Sequence, residues 1–123
     1  MPFNILVVDD NDMNLDLLAK ILELEGYQVL KAHDGLEAIQ IAVQKKPDLA
    51  LLDVMMPDMN GYELCRKLRQ PPLSMGIPIV MLTAMSSEGE RALAEEAGAN
   101  EIWSKPFDLE VFRRWIGELI TEG

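Results

Sequence analysis

Cysteine is almost missing from this sequence. Cys65 stands alone, so no internal disulfide can form and the fold must rest on packing. With no pairing motif around it, it reads as a small buried hydrophobe and suits a reducing compartment. Histidine is equally scarce, with His33 the single example. Without a His or Cys cluster a zinc centre has no ligands, and His33 itself reads as a surface residue of the second strand-to-helix turn. No apolar run approaches the ~20 residues of a membrane span. The start MPFNILVV carries neither a basic region nor a cleavage site. Basic residues are outnumbered, 11 against 21 acidic ones, and the formal charge of −10 is one that phosphate repels. That argues against direct nucleic-acid or anionic-membrane partners. A cytoplasmic chain is the expectation. Low-complexity tracts, internal repeats and linkers are absent too, so residues 1–123 are expected to form one domain.

What is present is a regular alternation. Hydrophobic residues make up 49% of the chain, enough for a core that buries roughly two-thirds of the unfolded surface. Short apolar runs at Ile5–Val8, Val29–Ala32, Leu49–Leu52, Ile79–Leu82 and Ile102–Trp103 predict buried strands. Between them, helical periodicity covers about Asn14–Glu25, Gly35–Lys45, Gly61–Arg69, Glu88–Ala97 and Asp108–Thr121. Gly26 and Gly98 are placed to close two of these helices, and Asp108 to cap the last. Five strand–helix units in this order imply an α/β fold with a parallel sheet covered on both faces. In such folds ligands bind beyond the carboxyl ends of the strands.

The strand ends carry an unusual set of residues. The first strand runs into Asp9-Asp10, the third into Asp53, the fourth into Thr83-Ala84 and the fifth into Ser104-Lys105-Pro106. A carboxylate after the apolar run Leu49–Leu52 is costly unless it is solvated, paired or bound to a cation. Three carboxylates at one rim repel and need a counter-charge, which a hard divalent cation with oxygen ligands supplies, Mg²⁺ best of all. Lys105 is a point charge for an anionic group and Thr83 a hydrogen-bond donor to one. A carboxylate nucleophile beside Mg²⁺, Lys and Thr suits formation of an acyl phosphate. Taken singly, Asp9-Asp10 reads as a solvated loop or cap, Thr83 as a strand-end hydroxyl and Lys105 as a surface ammonium. The combination at four matched ends is what carries chemistry.

These segments, "ILVVDDND", "LLDVMMPDMNG", "PIVMLTA" and "WSKPF" in this order and spacing, resemble the receiver domain of two-component response regulators over essentially the whole chain. The resemblance implies a flavodoxin-like sheet of order 2-1-3-4-5 flanked by five helices. It implies that Asp53 is the phosphoacceptor, and that Asp9, Asp10, Asp53 and the backbone carbonyl of Met55 bind Mg²⁺. Thr83 and Lys105 would follow and pair with the phosphoryl group, and Ala84 would leave it accessible. A cis Lys105–Pro106 bond would aim the lysine. Trp103 stands where the family usually has Tyr or Phe and would act with Thr83 in the switch. Met55 and Met85, at positions that influence phosphoryl lifetime, are apolar and cannot orient a water.

The partners implied are a histidine kinase or histidine phosphotransfer protein, and a downstream protein or second copy at the face of the fourth helix, fifth strand and fifth helix. Leu109, Phe112, Ile116, Leu119 and Ile120 form the core stripe of that last helix, with Val111 and Trp115 off it, either partly buried or on a partner patch. In the first helix Leu18, Ile21 and Leu22 read as core, with Leu17 and Leu24 at its edge. No output module follows Gly123, so a stand-alone or isolated receiver is expected, and not an enzyme beyond its own phosphorylation. Two other classes compete. A phosphate-independent pseudo-receiver would not need the intact acidic set. An aspartyl phosphatase usually carries a second Asp two residues after the nucleophile, where Met55 stands, and a flavin carrier needs a phosphate-cradling loop where "DDNDMN" is acidic.

Overall fold

A computed structural model describes residues 3–84, 87–105 and 108–122, the last four in backbone only. Five strands, β1 (Asn4–Val8), β2 (Gln28–Ala32), β3 (Leu49–Asp53), β4 (Ile79–Thr83) and β5 (Glu101–Ser104), alternate with five helices. The helices are α1 (Asp12–Leu24), α2 (Gly35–Lys45), α3 (Gly61–Arg69), α4 (Glu88–Ala97) and α5 (Leu109–Glu122). All pairings are parallel, in the order β2-β1-β3-β4-β5, as the resemblance implied.

The strand pleat divides the core in two. Ile5 and Val7 of β1, Leu49 and Leu51 of β3 and Val80 and Leu82 of β4 face α1 and α5, where Leu15, Leu22, Phe112 and Ile116 meet them. The alternate residues Leu6, Val8, Ala50, Leu52, Ile79 and Met81 face α2, α3 and α4, with Leu64, Leu68 and Ala94 among the contacts. Cys65 lies in this second layer, fully buried, its thiol pushed up by burial. An inert packing role follows.

Register sets the rim. Val8 pairs with Leu52, so Asp9 and Asp53 leave adjacent strands at one level. Asp53 pairs with Leu82, and Thr83 pairs with Ser104, one residue before Lys105. The local signals act as expected at most ends. Gly98 closes α4 at φ +97 and Gly26 follows α1 at φ +95, both in the left-handed region that glycine enters freely. Asp108 accepts from the Glu110 N–H at 2.8 Å and starts α5. The first helix begins two residues before Asn14 because Asn11 is its cap, accepting from the Asn14 N–H at 3.0 Å.

Two readings of core and edge are refined. In α1 the buried residues are Leu15, Ala19 and Leu22, while Leu18 and Ile21 are only partly buried and Leu17 and Leu24 are well exposed. In α5 Trp115 is partly buried against Trp103 while Val111 is exposed; the side chains of Leu119 and Ile120 lie outside the described residues.

At the far end of the sheet Arg69 joins two loops, the one before β4 and the one before β5. Its guanidinium donates to the carbonyls of Gly98 (2.9 Å), Met75 (2.8 Å) and Ile77 (2.6 Å) and to Asn100 Oδ1 (2.9 Å). Asn100 Oδ1 also accepts from the Ile79 N–H at 2.8 Å, at the start of β4. One side chain thereby anchors the chain entering β4 and the turn entering β5.

Candidate functional site

Asp53 is the last residue of β3 and only 5% exposed. Lys105 Nζ lies 2.8 Å from its Oδ1 and 3.6 Å from Asp9 Oδ2. Asp9, also buried, takes the Asn11 N–H on Oδ1 at 2.9 Å, while Asp10 beside it is exposed. Burial is the largest influence on the Asp53 carboxyl and pushes its pKa above the ordinary value. The Lys105 ammonium opposes that shift, and the charges of Asp9 and Asp10 add to it. One oxygen from each of Asp9, Asp10 and Asp53 lies within 4.8 Å of the others. Three carboxylates against one ammonium leave two negative charges unbalanced, and every donor is a hard oxygen. The residues present therefore fit a divalent cation of the Mg²⁺ kind.

Position in the chain explains why these groups meet. Leu49–Leu52 are wholly buried and fix Asp53 at the edge of the apolar layer. Gly61 begins α3 directly above: a Cβ there would lie 2.4 Å from the Asp53 carbonyl oxygen and 2.5 Å from Met81 Cε. Its absence of a side chain lets α3 sit on the acceptor strand, a matter of space and not of a left-handed turn. Asn60 and Glu63 complete a reciprocal capping box around that start.

The remaining expected residues are spread around this cluster. Met55 is two residues past Asp53 in the β3–α3 loop with its side chain 72% exposed. Ala84 is exposed beside Thr83. Pro106, the Lys105–Pro106 bond and Met85 lie outside the described residues. Thr83, 2% exposed, donates its hydroxyl to the Glu90 carboxylate at 3.2 and 3.3 Å. Trp103 is partly buried on the other side of the sheet, edge-on to Phe112 (5.9 Å) and Trp115 (5.1 Å).

A family model described as "Response regulator receiver domain" matches residues 5–116. This chain belongs to that family. Receiver domains are the phosphorylation-dependent switches of two-component signalling, and the parallel sheet with its acidic rim is the receiver architecture. The receiver is 44% identical over 108 residues to the response regulator PleD of Caulobacter vibrioides, covering 88% of this chain and 24% of that protein. It is 48% identical over 107 residues to the alkaline phosphatase synthesis transcriptional regulatory protein PhoP of Bacillus subtilis, covering 87% and 44%. The chain thus spans a quarter to about half the length of the curated relatives it matches. Among solved structures it resembles the chemotaxis protein CheY4 of Vibrio cholerae, with a TM-score of 0.88, 30% identity and coverage of 96% and 98%. Among the described residues no helix is long and apolar enough to cross a membrane.

Glu90 escaped sequence reasoning, and the available signal points elsewhere. Ser87-x-x-Glu90 has the capping-box spacing, in which the glutamate reaches back to the cap's own N–H. Here Ser87 Oγ does accept from the Glu90 N–H at 3.2 Å, but the Glu90 carboxylate lies on Thr83.

Proposed function

We propose that Asp53 is the phosphoacceptor of this receiver, charged by a histidine kinase or a histidine phosphotransfer protein. The carrying observation is a buried strand-end carboxylate held 2.8 Å from a lysine ammonium, with two further carboxylates within 4.8 Å. An Asp53 carboxylate oxygen attacks the phosphorus of the donor. The new oxygen–phosphorus bond forms as the donor's bond to phosphorus breaks, and the leaving group departs with that electron pair. Lys105, already on the acceptor, has only to turn from a carboxylate oxygen to a phosphoryl oxygen to neutralise it. Asp9, Asp10, Asp53 and the Met55 carbonyl would hold Mg²⁺, which neutralises charge on acceptor and donor together. Thr83 supplies a hydroxyl to the phosphoryl group, and the small Ala84 leaves its approach open.

The docking surface for the phosphodonor is the groove of about 410 Å³ beside Asp9 and Lys105, whose apolar wall is Leu17, Leu18, Ile21 and Leu109. Output runs through the face of α4, β5 and α5, where Leu93 and Val111 are exposed, toward a downstream protein or a second copy. A chain with this net charge and no spanning helix among its described residues fits work in the cytoplasm, without direct contact with nucleic acid.

Intact-mass measurement tests the assignment. Incubation with acetyl phosphate should add one phosphoryl group in Mg²⁺ and none in EDTA, and Asp53→Asn should remain unlabelled. Full labelling of Asp53→Asn would overturn the acceptor.

A further inference from the structure

The Thr83 hydroxyl is committed to a partner on a different element from the acceptor. Glu90 stands in the first turn of α4 and turns its carboxylate inward onto Thr83 Oγ1, at 3.2 Å from Oε2 and 3.3 Å from Oε1. Its backbone is fixed from two sides. Ser87 Oγ caps its N–H, and the buried Tyr62 hydroxyl on α3 donates to its carbonyl at 3.4 Å. Placed this way, the carboxylate gives up the capping-box bond that its position after Ser87 offers. The contact is also longer than the 2.5–2.7 Å usual for a hydroxyl on a carboxylate. A bond this long, shared between two oxygens, is firm enough to orient the hydroxyl and weak enough to release it.

We propose that Glu90 is the positioning residue for Thr83 in the unphosphorylated state, and that its carboxylate competes with the phosphoryl group for the Thr83 hydroxyl. The competition rests on the reading of Asp53 as acceptor; the positioning does not. Release of Thr83 frees Glu90 from the interior side of α4, so departure of the hydroxyl and adjustment of the α4 first turn are one event. This ties the start of the output face to the acceptor through the Thr83–Glu90 contact.

Removing the competitor should favour the activated state. A hydrogen bond to a charged group contributes more than a neutral one, but this one is long. Glu90→Ala should therefore tighten binding of beryllofluoride with Mg²⁺ about five- to tenfold, and Glu90→Gln, which keeps an oxygen acceptor without the charge, should fall between. In a Thr83→Ala background the same substitution should change affinity little, because the shared hydrogen bond is gone. A role limited to supporting α4 would lower the melting temperature without tightening the ligand, and would act equally with or without the Thr83 hydroxyl.

Two readouts separate the claims. The Thr83 methyl resonance of the ligand-free protein reports positioning alone: it should shift in Glu90→Ala and stay near wild type in Glu90→Gln. An unmoved methyl in Glu90→Ala overturns the proposal whatever the ligand does. If the methyl moves but wild type binds no beryllofluoride, positioning stands, and the acceptor reading fails together with the competition. Equal tightening in both the wild-type and Thr83→Ala backgrounds overturns the competition.

Discussion

Replacing Asp10 by Asn should move stability in opposite directions with and without metal. Asp10 shares a site with Asp9 and Asp53, all three offering an oxygen within 4.8 Å of the others. At that separation two unit charges repel by about 0.9 kcal/mol even at the dielectric of water. Asp10 is exposed and takes part in two such pairs, so relief amounts to about 1–2 kcal/mol at low salt and less once ions screen it. Lys105 contacts Asp53 and Asp9, so the substitution strands no ammonium. In EDTA the variant should melt about 3–6 °C above wild type. Titrated Mg²⁺ should then raise the wild-type midpoint in proportion to the logarithm of its concentration over Kd, while the variant, short of one ligand, should respond weakly. Differential scanning fluorimetry across a Mg²⁺ series reads both effects, and the two curves should cross. A variant no more stable than wild type in EDTA, with an undiminished response to Mg²⁺, would refute the account of the acidic rim.

Three other outcomes are expected. Arg69→Met removes four hydrogen bonds from a charged donor to the loops before β4 and β5, and should destabilise the fold by about 3 kcal/mol; a loss under about 1 kcal/mol by urea titration would show those loops to be held elsewhere. His33 contacts Asp12 at 3.0 Å and Glu37 at 3.1 Å, and chiefly its Glu37 bond raises its pKa above the usual value. Its stabilisation is therefore full below about pH 6.5 and lost as pH rises through the elevated pKa, so the melting difference from His33→Gln should shrink between pH 6 and pH 8 and in high salt, and a pH-independent difference would count against the ion triad. Activation by beryllofluoride should change tryptophan emission through Trp103: Trp115→Phe should keep the change and Trp103→Phe lose it, whereas a signal that follows Trp115 alone makes Trp103 a fixed wedge between β5 and α5, against Phe112 and Trp115.

Much of this was legible in the order of residues because burial and chemistry change abruptly at strand ends. Leu49–Leu52 followed by Asp53 marks both a buried strand and its rim, and α2, α3 and α4 begin and end where their caps and periodicity place them. Strand order was not readable from periodicity, since either sheet face accepts the same apolar alternation; it came from the resemblance. Arg69 looks like an ordinary solvated helix residue, and its acceptors come from loops as far as 31 positions away. Gly61 announces itself, but its reason, the Asp53 carbonyl beneath it, appears only in three dimensions. Glu90 is the sharpest case, because a local capping pattern competes with a contact that only the packing of α4 against β4 creates.

The central claim is that one particular carboxylate takes the phosphoryl group. Borohydride reduces an aspartyl phosphate to homoserine and leaves a free carboxylate unchanged. Protein labelled with acetyl phosphate in Mg²⁺, reduced and digested, should therefore yield homoserine at position 53, with Asp9 and Asp10 intact. Homoserine at position 9 or 10, or at no aspartate despite a phosphorylated intact mass, would contradict the account.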